Sequence, residues 1–277
     1  MKKLSALLIS VSVFSALAQE PRSNVSFSDV LAAPFAEPDQ RIFYGDSPIQ
    51  FVENWQALER QSSAPIILSI HGGCWLNAYA IEHTYAMNTA LRDAGFDVWS
   101  LEYRRVGDDG GGWPGTFNDI QNGLVTIAAQ YGGEQALAQR DVTLIGHSAG
   151  GHLALLAGQQ QAALIDRIVG LAAITDIRDY AAGENSCQQV GNRFMQGADE
   201  NAWTAANPAA QPLQVDTYLF HGDADNIVPL AQSRDFAAHE QVEVVWLKGA
   251  GHFDVIDPQS RAWLTILNEL KQLSAQD

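Results

Sequence analysis

The chain has 277 residues, 47% hydrophobic and 17% charged, with acidic residues outnumbering basic ones 32 to 16. That composition excludes a disordered, coiled-coil or collagen-like protein, and the length suits one large α/β domain or two small ones, with ample chain for a single core. A formal net charge of −16 argues against a nucleic-acid partner, because phosphate backbones repel acidic surfaces.

Taken in chain order, Lys2 and Lys3 precede an apolar stretch over residues 4–17, and Ala16-Leu17-Ala18 offers a small-x-small cleavage site. The stretch is short and contains Ser5, Ser10, Ser12 and Ser15, so it predicts a signal peptide cut near Ala18/Gln19 and not a permanent span. The expectation is an exported protein, periplasmic or secreted, with residues 1–18 removed and no membrane anchor in the mature form. Export would permit a disulfide between Cys74 and Cys187 as a loop staple, although the sequence does not show whether the two lie within bonding distance.

Residues 19–40 are polar and Pro-containing and are expected to wrap the surface. From about residue 40, short β-branched runs alternate with helical patterns. Ile66-Ile67-Leu68-Ser69-Ile70 predicts a buried strand, 81–92 a helix ending at Gly95, 96–101 a strand and 117–130 a helix. Val142-Thr143-Leu144-Ile145 predicts a strand leading into a helix over about 149–157; further strands are expected at 168–173, 215–220 and 242–247. Helical patterns over 230–238 and 260–273 follow the last two strands. This alternation specifies a mostly parallel sheet covered on both faces. Residues 174–214 interrupt the rhythm with Gly, Asn, Asp and Pro, which predicts a short cap-like insertion within a single domain over 19–277.

In open parallel sheets, ligand sites form beyond the carboxyl ends of the strands. Four segments arrive there: His71-Gly72-Gly73-Cys74-Trp75, Gly146-His147-Ser148-Ala149-Gly150-Gly151, His221-Gly222-Asp223-Ala224-Asp225 and Lys248-Gly249-Ala250-Gly251-His252. Gly-x-Ser-x-Gly between a strand and a helix places a serine on a turn too sharp for side chains at its flanks. His152 stands where a phosphate-binding loop needs Lys, so a nucleotide is not indicated. A serine hydroxyl needs a base, and the base needs an orienting acid. His252, in a Gly-rich loop after the last strand, is the preferred base. Asp225 is the preferred acid over Asp223, and Asp176 is read as a cap. His147 and His152 are too near Ser148 to act across the turn and are read as packing groups. His71 is expected to anchor its own loop, His221 is a weaker competitor for the base, and His83 and His239 fall on helical patterns where a surface position is the default. Backbone N–H groups of Gly72, Gly73 and Ala149 are the expected oxyanion donors.

These residues resemble the α/β-hydrolase superfamily, in the serine-esterase branch carrying His-Gly-Gly-x-Trp before the first major helix. The resemblance covers about residues 40–273 and extends to Glu102-Tyr103-Arg104 and Trp113-Pro114-Gly115. It implies an eight-stranded sheet with one antiparallel strand near the N-terminus, helices on both faces, and hydrolysis through an acyl-enzyme. By the same resemblance Ser148 is nucleophile, His252 base, Asp225 its partner, and Gly72, Gly73 and Ala149 the oxyanion hole, while Arg104 forms a structural salt bridge. Cys74 stands where hormone-sensitive-lipase-like members carry a third glycine, so the chain looks closer to feruloyl- and acetyl-esterase-like and kynurenine-formamidase-like hydrolases. The expected activity is cleavage of small or plant-derived carboxylic esters, with a small-molecule ester as the partner, no cofactor and no metal. An arylformamidase-type amidase using the same triad and a non-catalytic binding protein of the same fold are the alternatives. The pocket walls are expected from residues 76–85, 104–115 and 174–214.

Overall fold

The computed structural model describes residues 22–59 and 63–275, so the expected signal peptide and its cleavage point lie outside the described residues. The first helix is α1 (Phe27–Ala32), started by a capping box in which the Ser26 side chain accepts from Asp29 N and the Asp29 carboxylate accepts from Ser26 N.

Eight strands follow: β1 (Gln40–Phe43), β2 (Phe51–Trp55), β3 (Ile66–Ile70), β4 (Asp97–Leu101), β5 (Val142–His147), β6 (Arg167–Leu171), β7 (Asp216–Gly222) and β8 (Val242–Leu247). They form one sheet in the order β1-β2-β4-β3-β5-β6-β7-β8. β2 pairs antiparallel with both β1 and β4, and every pairing from β4 through β8 is parallel. One reversed strand near the N-terminus is what the resemblance implies.

The remaining helices are α2 (Tyr85–Asp93), α3 (Gly115–Gln130), α4 (Glu134–Leu137), α5 (Ala149–Gln160), α6 (Ile177–Ala181), α7 (Ser186–Phe194), α8 (Glu200–Ala205), α9 (Ala231–Phe236) and α10 (Arg261–Leu273). Alternation along β3 divides the core. Ile66, Leu68 and Ile70 pack with Leu124, Ile127 and Leu153 in one apolar cluster, and Ile67 packs with Leu91, Trp263 and Ile266 in the other. Nearly every residue of α5 is buried, as expected of a helix apolar on all sides that starts against the sheet's centre.

The interruption at 174–214 is helical, carrying α6, α7, α8 and a 3₁₀ turn at Pro208–Ala210 between β6 and β7. Asp176 caps α6 by accepting from Arg178 N and Asp179 N. Cys74, after β3, and Cys187, on α7, are disulfide-bonded with a Cα–Cα distance of 5.3 Å. This bond ties the loop beyond β3 to the insertion across 113 residues of chain. Arg104 forms the expected structural salt bridge: its Nε and Nη2 donate to the buried Asp119 carboxylate at 2.8 and 2.7 Å.

Candidate active site

Between β5 and α5 the chain turns at Ser148 with φ 55° and ψ −119°, a left-handed conformation rare for a residue with a side chain. The flanking glycines make the turn feasible. A Cβ on Gly146 would overlap the Gly150 carbonyl, and one on Gly150 would overlap the carbonyl oxygens of Ile70 and His71. Gly150→Ala is therefore expected to destabilise the fold by about 3 kcal/mol, at the upper end of overpacking effects. The fall should appear as a lower thermal midpoint; an unchanged midpoint would show that the backbone yields there.

His252 lies in the loop after β8, and its Nδ1–H donates to Asp225 Oδ2 at 2.7 Å. Asp225 sits in the turn after β7, where its Oδ1 accepts from Ile227 N at 2.8 Å and Val228 N at 2.9 Å. Burial alone would raise the Asp225 pKa, but hydrogen bonds from His221 and His252, the His252 charge and the Ile227 amide outweigh it. Together they hold the carboxyl well below the usual range. Asp223 is engaged elsewhere: its Oδ1 accepts from Gly249 N at 2.6 Å and staples the two loops together. The acid hydrogen-bonded to His252 is thus Asp225. His221, the weaker competitor for the base, lies behind this acid, with Nε2 3.4 Å from Asp225 Oδ2 and 3.1 Å from the Val228 carbonyl oxygen.

The histidine before Ser148 has a supporting position. His147 Nε2–H donates to the His252 carbonyl at 3.1 Å, and the two rings lie 4.7 Å apart. Burial lowers the His147 pKa well below its ordinary value, and the nearby His252 and His83 rings disfavour a further proton there. His152, one turn along α5, donates to the Ala206 carbonyl at 2.7 Å. His83 corrects the expectation of a surface position: it is buried against the site, and desolvation, with the charge of His71, lowers its pKa to about 3. Periodicity placed it on a helix but could not show that this helix's start faces the strand ends.

Ser148, His147, His252, Gly73 and Cys74 line one cavity of about 410 Å³. No described residue accepts a hydrogen bond from the Gly73 N–H. Gly72 sits one residue back, where a Cβ would come 2.8 Å from the His147 carbonyl and 3.1 Å from Ser148 Cβ. Ala149, buried, supplies the first N–H of α5, which an α-helix leaves without an internal acceptor. Beyond Gly73 the chain stays left-handed, with φ 53° at Cys74 and 55° at Trp75, and the disulfide holds this turn against α7.

The cavity's walls differ from expectation in two places. Tyr79 and His83, with Asn185, Ser186 and Cys187, represent the expected segments 76–85 and 174–214. The segment 104–115 does not line it; Trp113 instead packs on Phe117 and Phe194. In its place stand Asn226, Ile227, Phe253 and, from the N-terminal segment, Phe27. Phe27 contacts the rings of Tyr79, His83 and Phe253 at 5.1, 5.6 and 5.7 Å. Asp254 accepts from Val25 N at 2.9 Å and Gly251 N at 3.0 Å, fastening this segment beside the His252 loop. Residues 22–33 therefore do more than wrap the surface. The Ser26-x-x-Asp29 capping box preceding an apolar pair was the available signal.

Residues 55–239 match the family model described as BD-FAE. Esterase LipC of Mycobacterium tuberculosis (strain ATCC 25618 / H37Rv) is 27% identical over 276 residues, covering 86% of this chain and 66% of LipC. The chain spans between 45% and 66% of the length of the curated relatives it matches. Among solved structures, esterase B from Lactobacillus rhamnosis (HN001) superposes with a TM-score of 0.70 at 21% identity, covering 90% of this chain and 91% of that one. A truncated carbohydrate esterase from gut microbiota gives 0.69 at 20% identity, over 87% and 97% of the two chains. These likenesses establish the α/β-hydrolase fold.

Proposed function

The chain belongs to the BD-FAE family, and from that premise and the site geometry we propose that it is a serine carboxylesterase cleaving small or plant-derived carboxylic esters through an acyl-enzyme on Ser148. The observation that carries this reading is the His252 ring, fixed by Asp225 at 2.7 Å, sharing one cavity with a serine held on a left-handed turn. In this reading His252 Nε2 takes the Ser148 proton as Oγ attacks the ester carbonyl, and Asp225 holds the proton on Nδ1 so that Nε2 is free to accept. The oxyanion is met by the N–H groups of Gly73 and Ala149, with Gly72 shaping the turn behind them; one such donor is worth about 3 kcal/mol in the transition state. His252 then protonates the departing alcohol, and water repeats the sequence to free the acid.

The cavity volume supports small acyl groups, with Phe27, Tyr79 and Phe253 on one wall and Asn185, Ser186 and Asn226 on another. Phe27→Ala is expected to open the aromatic wall and shift the preferred p-nitrophenyl ester from acetate or butyrate toward longer acyl chains. An unchanged chain-length profile would show that Phe27 does not bound the acyl site.

We also propose that the protein is exported, with residues 1–18 as signal peptide. The Cys74–Cys187 disulfide supports an oxidising compartment, where such bonds persist. Among the described residues no helix is long and apolar enough to cross a membrane.

The testing experiment is hydrolysis of p-nitrophenyl acetate through decanoate by the protein and its Ser148→Ala variant. Ser148-dependent turnover that falls with acyl length is expected. Absence of Ser148-dependent turnover on every ester would overturn the carboxylesterase reading.

A further inference from the structure

Behind the Gly73 turn lies a buried group of side chains that the reaction sequence above does not use. His71 is fully buried. Its Nδ1 lies 2.8 Å from the Gly72 carbonyl oxygen, and its Nε2 lies 2.9 Å from Glu102 Oε1. A carbonyl oxygen can only accept a hydrogen bond. Glu102 can only accept as well, because it is a carboxylate: it receives Tyr103 N at 2.9 Å and Ile81 N at 3.0 Å, with Arg105 Nη1 at 3.3 Å. Both ring nitrogens of His71 must then donate, which requires a ring carrying two protons and a positive charge. The Tyr103 ring stacks on His71 at 4.4 Å, and its hydroxyl donates to the His71 carbonyl at 2.7 Å, so the imidazole cannot rotate away. The neighbouring His83 ring stands 5.5 Å off, edge-on, and is held neutral by desolvation and by the His71 charge. Burial raises the Glu102 pKa, but the charge and hydrogen bond of His71, with Arg105, reverse this and leave it below the ordinary value.

The peptide unit that receives the Nδ1–H bond is the one joining Gly72 to Gly73, and its N–H end belongs to Gly73, a cavity-lining residue whose N–H finds no acceptor among the described residues. Hydrogen bonds chained through one amide polarise each other: withdrawing density at the carbonyl end makes the N–H end a stronger donor.

We infer that His71, held as an imidazolium by Glu102, is a positioning residue that polarises the Gly72–Gly73 peptide and so strengthens the Gly73 N–H toward the oxyanion formed in ester hydrolysis. This rests on the serine-esterase reading of the site. Its effect belongs to the transition state, since an ester carbonyl carries little charge before attack. A plain loop-anchoring role would instead lower stability or disturb ground-state binding.

The test uses Glu102→Gln and His71→Asn together with ¹⁵N-histidine spectroscopy of the unaltered protein. With its oxygen at the Oε1 position the Glu102→Gln amide still accepts from His71 Nε2 and Tyr103 N, while its NH₂ replaces the acceptor of the Ile81 N–H; the variant removes the counter-charge that sustains the second ring proton. The expected result is a kcat about tenfold lower, a part of the 10²–10³ lost when a whole oxyanion donor is removed, with KM unchanged. Affinity for a reversible trifluoromethyl ketone, whose adduct carries the same oxyanion, should fall by the same factor. His71→Asn keeps a neutral donor near the Nδ1 position and should lie between Glu102→Gln and His71→Ala in kcat. The ring of His71 in the unaltered protein should show both nitrogens protonated at neutral pH.

The inference is overturned by a singly protonated His71 ring, by an unchanged kcat in folded Glu102→Gln, or by a kcat loss without the matching ketone loss. Ser148-dependent turnover by the unaltered protein is measured first, so that a failed esterase reading is told apart from a failed His71 role.

Discussion

Ser148→Ala is expected to reduce ester turnover by about 10⁶-fold, the scale seen when the nucleophile of a serine triad is removed, while the protein remains folded. The hydroxyl is not needed by the fold: neither the β5 register nor the elbow's backbone bonds use it, since Ser148 N donates to the Leu171 carbonyl at 2.9 Å and its own carbonyl accepts from His152 N at 3.2 Å. The left-handed turn is set by Gly146 and Gly150, which the substitution leaves in place. Alanine therefore removes the Oγ without releasing the turn. Steady-state rates on p-nitrophenyl acetate, paired with labelling by a fluorophosphonate, check this; turnover or labelling that survives would move the nucleophile elsewhere.

The elbow was readable because its chemistry is local. Gly146, Ser148 and Gly150 lie within five residues, and the strand and small-residue helix around them state the context that the turn requires. The parallel sheet was readable for the same reason, as β-branched runs and helical periods alternate along most of the chain. What pairs across long stretches was not. Choosing between Asp223 and Asp225 depends on which carboxylate meets His252 and which meets Gly249 N, a matter of loop geometry that two residues of spacing do not encode. The Cys74–Cys187 bond closes over 113 residues, and its feasibility depends on how α7 meets the loop after β3. β1 and β2 carry no strong run of their own: β1 is largely exposed, and β2 includes the buried polar Glu53 and Asn54. Those two are satisfied by Arg41 and Tyr85 and by Asp97, partners that only the folded sheet brings near. Phe27 reaches the site through a six-residue helix too short to show a period.

Asp225→Asn is expected to lower kcat by about 10⁴-fold with little change in KM, because it reverses the His252 tautomer instead of removing a contact. The Asp225 environment dictates this outcome. Oδ1 accepts two backbone N–H groups, from Ile227 and Val228, and a side-chain amide placed there must present its oxygen to them. Its NH₂ then occupies the Oδ2 position, 2.7 Å from His252 Nδ1 and 3.4 Å from His221 Nε2. Two donors cannot face each other, so His252 must turn its unprotonated nitrogen toward the new amide and carry its proton on Nε2. A protonated Nε2 cannot take the Ser148 proton, although ester binding in the cavity is untouched. Flipping the amide would restore the tautomer only by aiming NH₂ at the Ile227 and Val228 amides, leaving both buried donors unmatched. The carboxylate is held far below the ordinary range, so mild acidification does not mimic the substitution. The check is a kcat and KM comparison with Asp223→Asn, which alters only the Gly249 staple and should retain most of its activity. Equal losses in the two variants would mean that loop integrity, and not the tautomer of His252, sets the rate.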